Sequence, residues 1–558
     1  MAFAFAHPYE IEPAYSRPVA YFCMEYAIHQ PLKIYAGGLG FLAGSHLRSA
    51  YALRQNLVGV GILWKYGYYD QVRHPDQSMA VLFQEKIYHF LVDTGIQYPI
   101  QIHGQPVQVK VWYLPPERFQ TAPLFLLTTD VEGNDYLART TSFKLYDADL
   151  AAQLAADIVL GIGGAKLFEH LGWKPEIYHL NESHALPLAF YLYEKYQRLE
   201  EVKKRLVFTN HTPEAAGNPQ NDFGLLEEMS FFGGLSADQV RQVTGIDGPV
   251  FNHTLAALRM AGLTNGVSEI HTRTLHKMWA AYPEISPICS ITNAQHAGYW
   301  ADAELYEAAA AHDVKALQER KHRLKEALFE VVADQCGKLF DPEVLTIVIA
   351  RRFAGYKRLD LLLREPQAFE ALIQDSRHPV QLIWAGKPYP TDAGAIGLFN
   401  HLVQLSKQHP NIAVLTGYEL SLSKQLKAGA DVWLNTPRLT REASGTSGMT
   451  AAMNGALNVS IPDGWFAEFA RDEENSFVIP AAPPDWPVEQ MDAHDAAQLY
   501  RVLTRKVIPL YYENPSHWYQ MMMNSLRDVL PQFDSNRLAK QYYEILYRPE
   551  EYDPVSGS

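Results

Sequence analysis

Residues 343–358 read EVLTIVIARRFAGYKR, an apolar run that stops at a turn carrying Arg351, Arg352, Lys357 and Arg358. A run rich in Ile and Val with no alternation predicts a strand buried on both faces, as in a parallel sheet. Three similar runs follow, VQLIWAGK (380–387), NIAVLTGY (411–418) and ADVWLNTP (430–437), separated by polar segments compatible with helices. Strands alternating with helices predict βαβ units and a doubly wound sheet, whose ligands sit at the carboxyl ends of the strands.

An earlier series has the same character. Short β-branched or aromatic runs, RPVAYFCMEY (17–26), LVGVGILWKYGYY (57–69), PEIYHLN (175–181) and RLVFTNHT (205–212), alternate with helical AGSHLRSAYALRQN (43–56) and ALPLAFYLYEKYQRLEEVKK (185–204). They predict a second parallel sheet. Between the series, residues 291–335 are charged and rich in Ala and Leu at helical spacing, which predicts linking helices. Residues 498–530 also read as helical, with Pro509 and Pro515 expected to break them. The expected fold class is α/β, two Rossmann-like doubly wound domains facing a cleft. They are expected at residues 1–290 and 291–558, the second carrying the linking and C-terminal helices.

Composition closes off several function classes. Lys and Arg total 48 against 62 Asp and Glu, a formal charge of -14, so nucleic acid or an anionic membrane would meet a repelling field. No stretch approaches the roughly 18 unbroken apolar residues that cross a bilayer, and no membrane span is expected. Cys23, Cys289 and Cys336 are too scattered for a disulfide framework and form no C-x-x-C pair, so they read as small buried hydrophobes. No set of His, Cys and carboxylates at ligand spacing emerges, and no metal is expected. The N-terminal MAFAFAHPYEIEPAYSRP lacks a basic stretch followed by a continuous apolar one, so a cytoplasmic location is expected. Aromatic residues make up 12%, flat amphipathic rings that suit sugar stacking as well as ordinary cores.

Four segments carry groups able to do chemistry. In YAGGLG (35–40), a Gly-rich turn lets backbone N–H groups approach a phosphate or sugar hydroxyl, although a tight strand-to-helix turn needs glycine on steric grounds alone. Arg351, Arg352, Lys357 and Arg358, four cations in eight residues, suit phosphate oxygens, while Arg358 alone also reads as part of a solvated turn. In REASGTSGM (441–449), Glu442 precedes small residues at a helix start. That supplies a carboxylate for sugar hydroxyls and amides for an anion, or else a capped surface loop. His184 and His211 stand at apparent strand ends, where a lone histidine is more often structural than catalytic.

Taken in order, YFCMEYAIHQPLKIYAGGLGFLAGSHLRSA (21–50), YHLNESHA (178–185), VFTNHTPEAAG (207–217), LTNGVSEIHTRTLHKMW (263–279), SITNAQH (290–296), IARRFAGYKR (349–358), ADVWLNTPRLTREASGTSGM (430–449) and MNGALNVSIPDGW (453–465) form a long ordered set. They resemble the α-glucan (glycogen and maltodextrin) phosphorylase family, in particular its short bacterial type, from about Tyr21 to Tyr547. The resemblance implies two Rossmann-like domains of the GT-B kind, with the glucan on the N-terminal side and the phosphate on the C-terminal side. It implies retaining glucosyl transfer between an α-1,4-glucan or maltooligosaccharide and phosphate, with glucose 1-phosphate as the product. By position, Gly37 and Gly38, with Leu39, match the loop that holds the transferred glucose and phosphate. His211 matches the residue lining the glucose site near the anomeric carbon. Asn293 and Glu442, with Ser444 and Gly445, match ligands of the glucose. Arg352 and Lys357 match the cations for substrate and cofactor phosphate, with Arg351 beside them, and Gly445 and Thr446 the helix-start amides of that cradle. His211, Arg352, Lys357 and Glu442 are the groups the resemblance makes catalytic, and Tyr418 matches an aromatic packed near the cofactor ring.

One position departs from the family. Its motif continues to Gly-Asn-Met-Lys or Gly-Met-Lys, and that lysine forms the Schiff base with pyridoxal phosphate; here Gly448 and Met449 are followed by Thr450. A threonine hydroxyl cannot make an imine, so no covalently bound cofactor is expected, and non-covalent pyridoxal phosphate stays open. Lys387 is the nearest substitute lysine in the same domain. The family's regulatory and glycogen-storage sites are not expected, for want of its long N-terminal and insertion segments. Three readings follow: a phosphorylase without covalent cofactor, a nucleotide-glucose-dependent α-glucosyltransferase, or a glucan-binding or regulatory protein without catalysis. The expected partners are an α-glucan or maltooligosaccharide with phosphate, glucose 1-phosphate or nucleotide-glucose, and neither nucleic acid nor membrane. A homo-oligomer is compatible with each.

Overall fold

In a computed structural model, residues 3–553 are described, and the chain forms two α/β units, each with its own sheet. The first takes the residues up to Tyr69, Phe83–His296 and those from Ser535 onward; the second takes Asp70–Leu82 and Ala297–Asp534. The units are thus not two consecutive halves of the chain.

The first unit holds a nine-stranded sheet. Its strands are β1 (Val19–Phe22), β2 (Leu57–Ile62), β3 (Val92–Ile102), β4 (Gln105–Leu114), β5 (Leu124–Thr128), β6 (Ile177–Asn181), β7 (Leu206–Thr209), β8 (Leu263–Gly266) and β9 (Ile288–Ser290). They lie in the order β9-β8-β7-β6-β1-β2-β5-β4-β3, parallel from β9 through β5, with β4 and β3 antiparallel at one edge. β1, β2, β5, β6 and β7 are buried at every residue, as expected for strands covered on both faces. The β3–β4 pair alternates buried and open residues and shows one face to water.

The second unit holds six parallel strands, β10 (Leu345–Ala350), β11 (Val380–Ala385), β12 (Ile412–Leu415), β13 (Val432–Asn435), β14 (Leu457–Ser460) and β15 (Phe477–Val478). Their order is β12-β11-β10-β13-β14-β15, so the chain steps outward from β10 to β12 and then crosses back to run outward from β13 to β15, the order reversing between β10 and β13. The crevice at such a reversal is where doubly wound sheets take ligands. Trp433, Val348, Ile383 and Leu426 anchor the core on one face.

The helices used below are α1 (Gly38–Ala52), α2 (Val314–Cys336), α3 (Leu420–Gly429), α4 (Thr446–Ala452), α5 (Pro515–Phe533) and α6 (Ser535–Gln541). The hairpin Asp70–Arg73/Met79–Leu82 belongs to the second unit through Gln71. Its amide donates to Gly386 O at 3.1 Å and accepts from Gly417 N at 3.0 Å, tying the ends of β11 and β12. α6 returns to the first unit, where Ser535 meets Ser49 at 2.6 Å. Pro515 opens α5, as expected, but Pro509 does not break its helix: a π-turn at Leu503–Val507 takes up the irregular hydrogen bonding just ahead of it. Leu150–Leu171 is by length and composition a helical stretch able to cross a membrane, yet 67% of its most apolar window is buried inside the fold. Cys23 and Cys289 are buried and Cys336 half-buried, all as free thiols.

Candidate active site

Strand β10 runs straight into Arg351, so a fully apolar strand delivers a guanidinium to the point where the strand order reverses. Arg351 is 5% exposed. Its Nη2 donates to the Glu442 carboxylate, while Nε and Nη1, equally buried, have no hydrogen-bond partner among the described residues. Lys357, in the 3-10 turn Gly355–Lys357, donates to both Glu442 oxygens at 2.7 and 3.0 Å. Burial alone would raise the Glu442 pKa. The adjacent Lys357 and Arg351 charges override it and hold the carboxyl below its ordinary value.

The loop carrying Glu442 is gripped by three consecutive residues. Asp463 accepts Glu442 N–H at 2.9 Å, and Trp465 N–H donates to Ser444 O at 2.9 Å. Between them, Gly464 has φ 55°, and a Cβ there would lie 2.3 Å from Ser444 O. Only glycine fits so close a turn. Asp463 is almost fully buried, and burial with the neighbouring Glu442 charge pushes its pKa up to about 7. Ser444 Oγ also has no partner among the described residues. Two cations, one ionised carboxylate and unfilled donors make this cluster receptive to an anion with oxygen acceptors.

In the first unit, the carboxyl ends of β1, β6, β7 and β9 lead to a second set of polar groups. Glu25 accepts from Ala36 N at 2.6 Å, Gly37 N at 2.9 Å and the Tyr146 hydroxyl at 2.8 Å. The Gly37 amide is therefore committed to Glu25, and Gly38 and Leu39 form the first turn of α1. Gly40 is required here, because a Cβ would lie 2.7 Å from Glu25 Oε2. His211, following β7, bonds Asn181 Oδ1 through Nε2 at 2.7 Å, and its backbone N–H donates to Glu182. Burial pushes the His211 pKa down to about 3 and that of Glu182 up to about 7. Asn293 is buried, its N–H on Val267 O at 3.0 Å and its side-chain oxygen unpartnered among the described residues.

Comparison with known proteins decides what these elements belong to. The carbohydrate phosphorylase family profile matches residues 251–481. The maltodextrin phosphorylase of Thermococcus litoralis is 32% identical over 595 residues, covering 96% of this chain and 71% of that one. The chain belongs to the carbohydrate phosphorylase family. The glycogen phosphorylase of Aquifex aeolicus is also 32% identical, over 617 residues and 87% of its length. An uncharacterized protein of Methanocaldococcus jannaschii is 45% identical over 533 residues, which is all of its own length.

Within this phosphorylase-family chain, the structure brings Arg351, Lys357, Glu442 and Ser444 together and places Gly445 and Thr446 at the start of α4. Arg352, next to Arg351, is exposed. Gly37, Gly38, Leu39, His211 and Asn293 belong to the other unit. His184 is half-buried, with Nδ1 unpartnered among the described residues. Tyr418 is half-buried against the β10–β13 core, and burial pushes its hydroxyl up to about 12. Arg358 corrects the reading of a solvated turn: it is 2% exposed, bonded to Thr436 O and Pro437 O and paired with Asp492 and Asp495. Burial of a guanidinium demands such compensation.

The position of Thr450 bears on the family's cofactor. Thr450 is 1% exposed, and its hydroxyl donates back along α4 to Ser447 O at 3.1 Å. A Schiff base does not fit this residue. Lys387 is held by Glu419 at 2.7 Å. Sequence reasoning missed Lys427, a 1%-exposed amine lying 4.1 Å from the centre of the Trp300 ring, whose pKa burial drives well down. Asn454 joins the two regions, donating to both Trp300 O and Thr450 O. It also missed Asp463, Glu25 and Glu182; Asp463-Gly464 and Glu25 lay inside quoted motifs, where turn and strand-end positions were the available signal.

Proposed function

We propose that the protein is a retaining α-glucosyltransferase of the GT-B kind that moves glucose between an α-1,4-glucan or maltooligosaccharide and phosphate, without covalently bound pyridoxal phosphate. The observation that carries this is the buried Arg351–Glu442–Lys357 cluster with its two unfilled arginine nitrogens. Hydrogen phosphate would take those nitrogens and share Lys357, drawing the cation away from Glu442. Glu442, so relieved, accepts hydrogen bonds from glucose hydroxyls.

In the forward step, the C1–O bond to the glucan breaks as a phosphate oxygen bonds C1, and the phosphate's proton passes to the departing glucan oxygen. No enzyme carboxylate need bond to carbon. Arg351, Lys357 and exposed Arg352 stabilise charge on the phosphate throughout, the kind of preorganised electrostatic contribution that usually dominates catalysis. His211, fixed on Asn181, stays neutral at working pH and contributes no charge.

The experiment is glucose 1-phosphate release from a linear α-1,4 maltooligosaccharide and inorganic phosphate, with protein verified free of pyridoxal phosphate. Release that disappears in Lys357→Ala supports the reading. No release, with turnover of a nucleotide-glucose instead, overturns it in favour of a nucleotide-dependent transferase. Glucan binding without turnover of either donor means a binding protein.

A further inference from the structure

Strand β1 is followed by Cys23, Met24 and Glu25, and this short stretch reaches both polar segments of the first unit. Glu25 holds the Gly-rich turn through the amides of Ala36 and Gly37. Cys23 leads to His211 instead, by way of Asn181 at the end of β6. Both side chains are sealed from solvent, Cys23 fully and Asn181 to within 1%, so their hydrogen bonds are made to each other and to the protein rather than to water.

Three contacts in series decide where each hydrogen goes. Burial pushes the Cys23 thiol up to about 12, so the sulfur keeps its hydrogen. That hydrogen points to Glu25 O, 3.1 Å away, because a backbone carbonyl only accepts. Toward Asn181, at 3.2 Å, the sulfur is then left to accept, so it faces the amide nitrogen Nδ2 and not Oδ1. Asn181 Oδ1 in turn faces His211 Nε2 at 2.7 Å, and since an amide oxygen only accepts, Nε2 carries the ring hydrogen. The ring is neutral, its pKa pushed down to about 3 by burial first and then by His271 and His184. In a neutral imidazole protonated on Nε2, Nδ1 is a bare acceptor.

The backbone of the same loop is held from two sides. His211 N–H donates to Glu182, whose φ of 69° and ψ of 173° is a conformation nearly reserved for glycine. On the other side, Thr212 O accepts from His271 Nε2 at 3.2 Å. Val267 N–H occupies His271 Nδ1 at 3.2 Å, which leaves that ring's hydrogen on Nε2 as well.

We propose that Asn181, oriented by Cys23, is a positioning residue that locks His211 in the tautomer protonated on Nε2 and so keeps Nδ1 an acceptor. A hydroxyl brought beside Nδ1 can donate to it, whereas an ionised phosphate oxygen meets only its lone pair. The tautomer follows from the hydrogen bonds alone; that turnover depends on it rests on the functional reading above.

NMR of the histidine ring nitrogens, on full-length protein labelled at histidine and free of glucan and phosphate, reads the tautomer directly. The signals of His211 are those lost in His211→Gln. Wild type should show one species, protonated on Nε2. Cys23→Ser keeps a donor and an acceptor beside Asn181 and should keep that species. Cys23→Ala lets the Asn181 amide turn, and Asn181→Ala removes the acceptor from Nε2, so both should show a mixture of the two tautomers. In glucose 1-phosphate release, Cys23→Ala should lower kcat by about tenfold, the size of one lost hydrogen bond, and Cys23→Ser should restore it. A wild-type ring protonated on Nδ1 overturns the proposal, and this holds even if neither alanine variant folds. One unchanged tautomer in both alanine variants overturns it too, as does a tautomer mixture in Cys23→Ala with kcat intact. The expected tautomers in a protein that releases no glucose 1-phosphate keep the lock and overturn the functional reading.

Discussion

Arg351 and Glu442 form a buried ion pair in which two of the arginine's three nitrogens have no hydrogen-bond partner among the described residues. Lys357 makes the second contact to the same carboxylate. The carboxylate thus stands where it compensates the cations while no phosphate is bound. Replacing it should expose that compensation: Glu442→Gln is expected to lose about 3–5 kcal/mol, the usual effect of stranding a buried charge. Added phosphate should then raise the melting temperature of Glu442→Gln more than that of wild type, since ligand binding to the folded state stabilises by mass action. Thermal unfolding with and without phosphate decides it, and equal shifts would argue against an anion site at Arg351.

Asp463 should leave a signature in the pH dependence of stability. Its folded pKa is pushed up to about 7 from an ordinary value of 3.8, by burial first and then by Glu442. The folded state therefore holds the proton more tightly than the unfolded one. This contribution is fully present below the unfolded pKa and is lost as pH rises through the folded one, with a slope of at most about 1.4 kcal/mol per pH unit. Asp463→Asn should flatten the decline between about pH 4 and pH 7. Glu182, also raised to about 7, contributes with the same sign and should remain in that variant. Urea unfolding across this range measures both, and an unchanged slope in Asp463→Asn would place its titration elsewhere.

The parts of the fold that sequence exposes are those with one dominant cause. The apolar runs at 345–350, 380–385, 412–415 and 432–435 are strands because they are buried on both faces, and their pattern admits little else. The long β3–β4 pair went unnoticed because its alternation, with Val107, Val109 and Val111 inward, marks a half-exposed edge rather than the buried runs of a parallel sheet. Residues 70–82 and 535 onward join units distant in sequence through contacts such as Gln71 to Gly386, which no local pattern encodes. At the site, residue type indicated charge but not pairing. Arg351, Lys357 and Arg358 look alike in sequence, and only the placement of Glu442, Asp492 and Asp495 assigns each its partner.

Thr450 and Lys427 set up a spectroscopic test. With pyridoxal phosphate supplied, wild type should show no imine absorbance at Thr450, because its hydroxyl is spent within α4. Thr450→Lys should gain that absorbance if an aldehyde can reach the start of α4. An imine band in wild type would point to the buried amine of Lys427, which Asn454 links to Thr450 through Trp300. Loss of that band in Lys427→Met would then overturn the reading that no covalent cofactor forms.

Adjacent residues Lys357 and Arg358 should fail in opposite ways. Lys357 keeps some solvent contact and faces Glu442, whereas Arg358 is sealed between Asp492, Asp495 and two carbonyls of the loop after β13. Arg358→Leu strips buried Asp495 of its arginine, while Asp492 keeps Arg438 and Arg364, and should destabilise the protein by about 3–5 kcal/mol. Any loss of activity in it should track the loss of folded protein. Lys357→Ala removes a cation that its carboxylate can do without, since Arg351 still pairs with Glu442. It should keep most of its stability while turnover falls by about 10²–10³, the scale seen when one electrostatic stabiliser of a transition state is removed. Denaturant unfolding and initial rates on the two variants, corrected for folded fraction, separate the roles. Normal turnover in folded Lys357→Ala would take the phosphate away from this cluster.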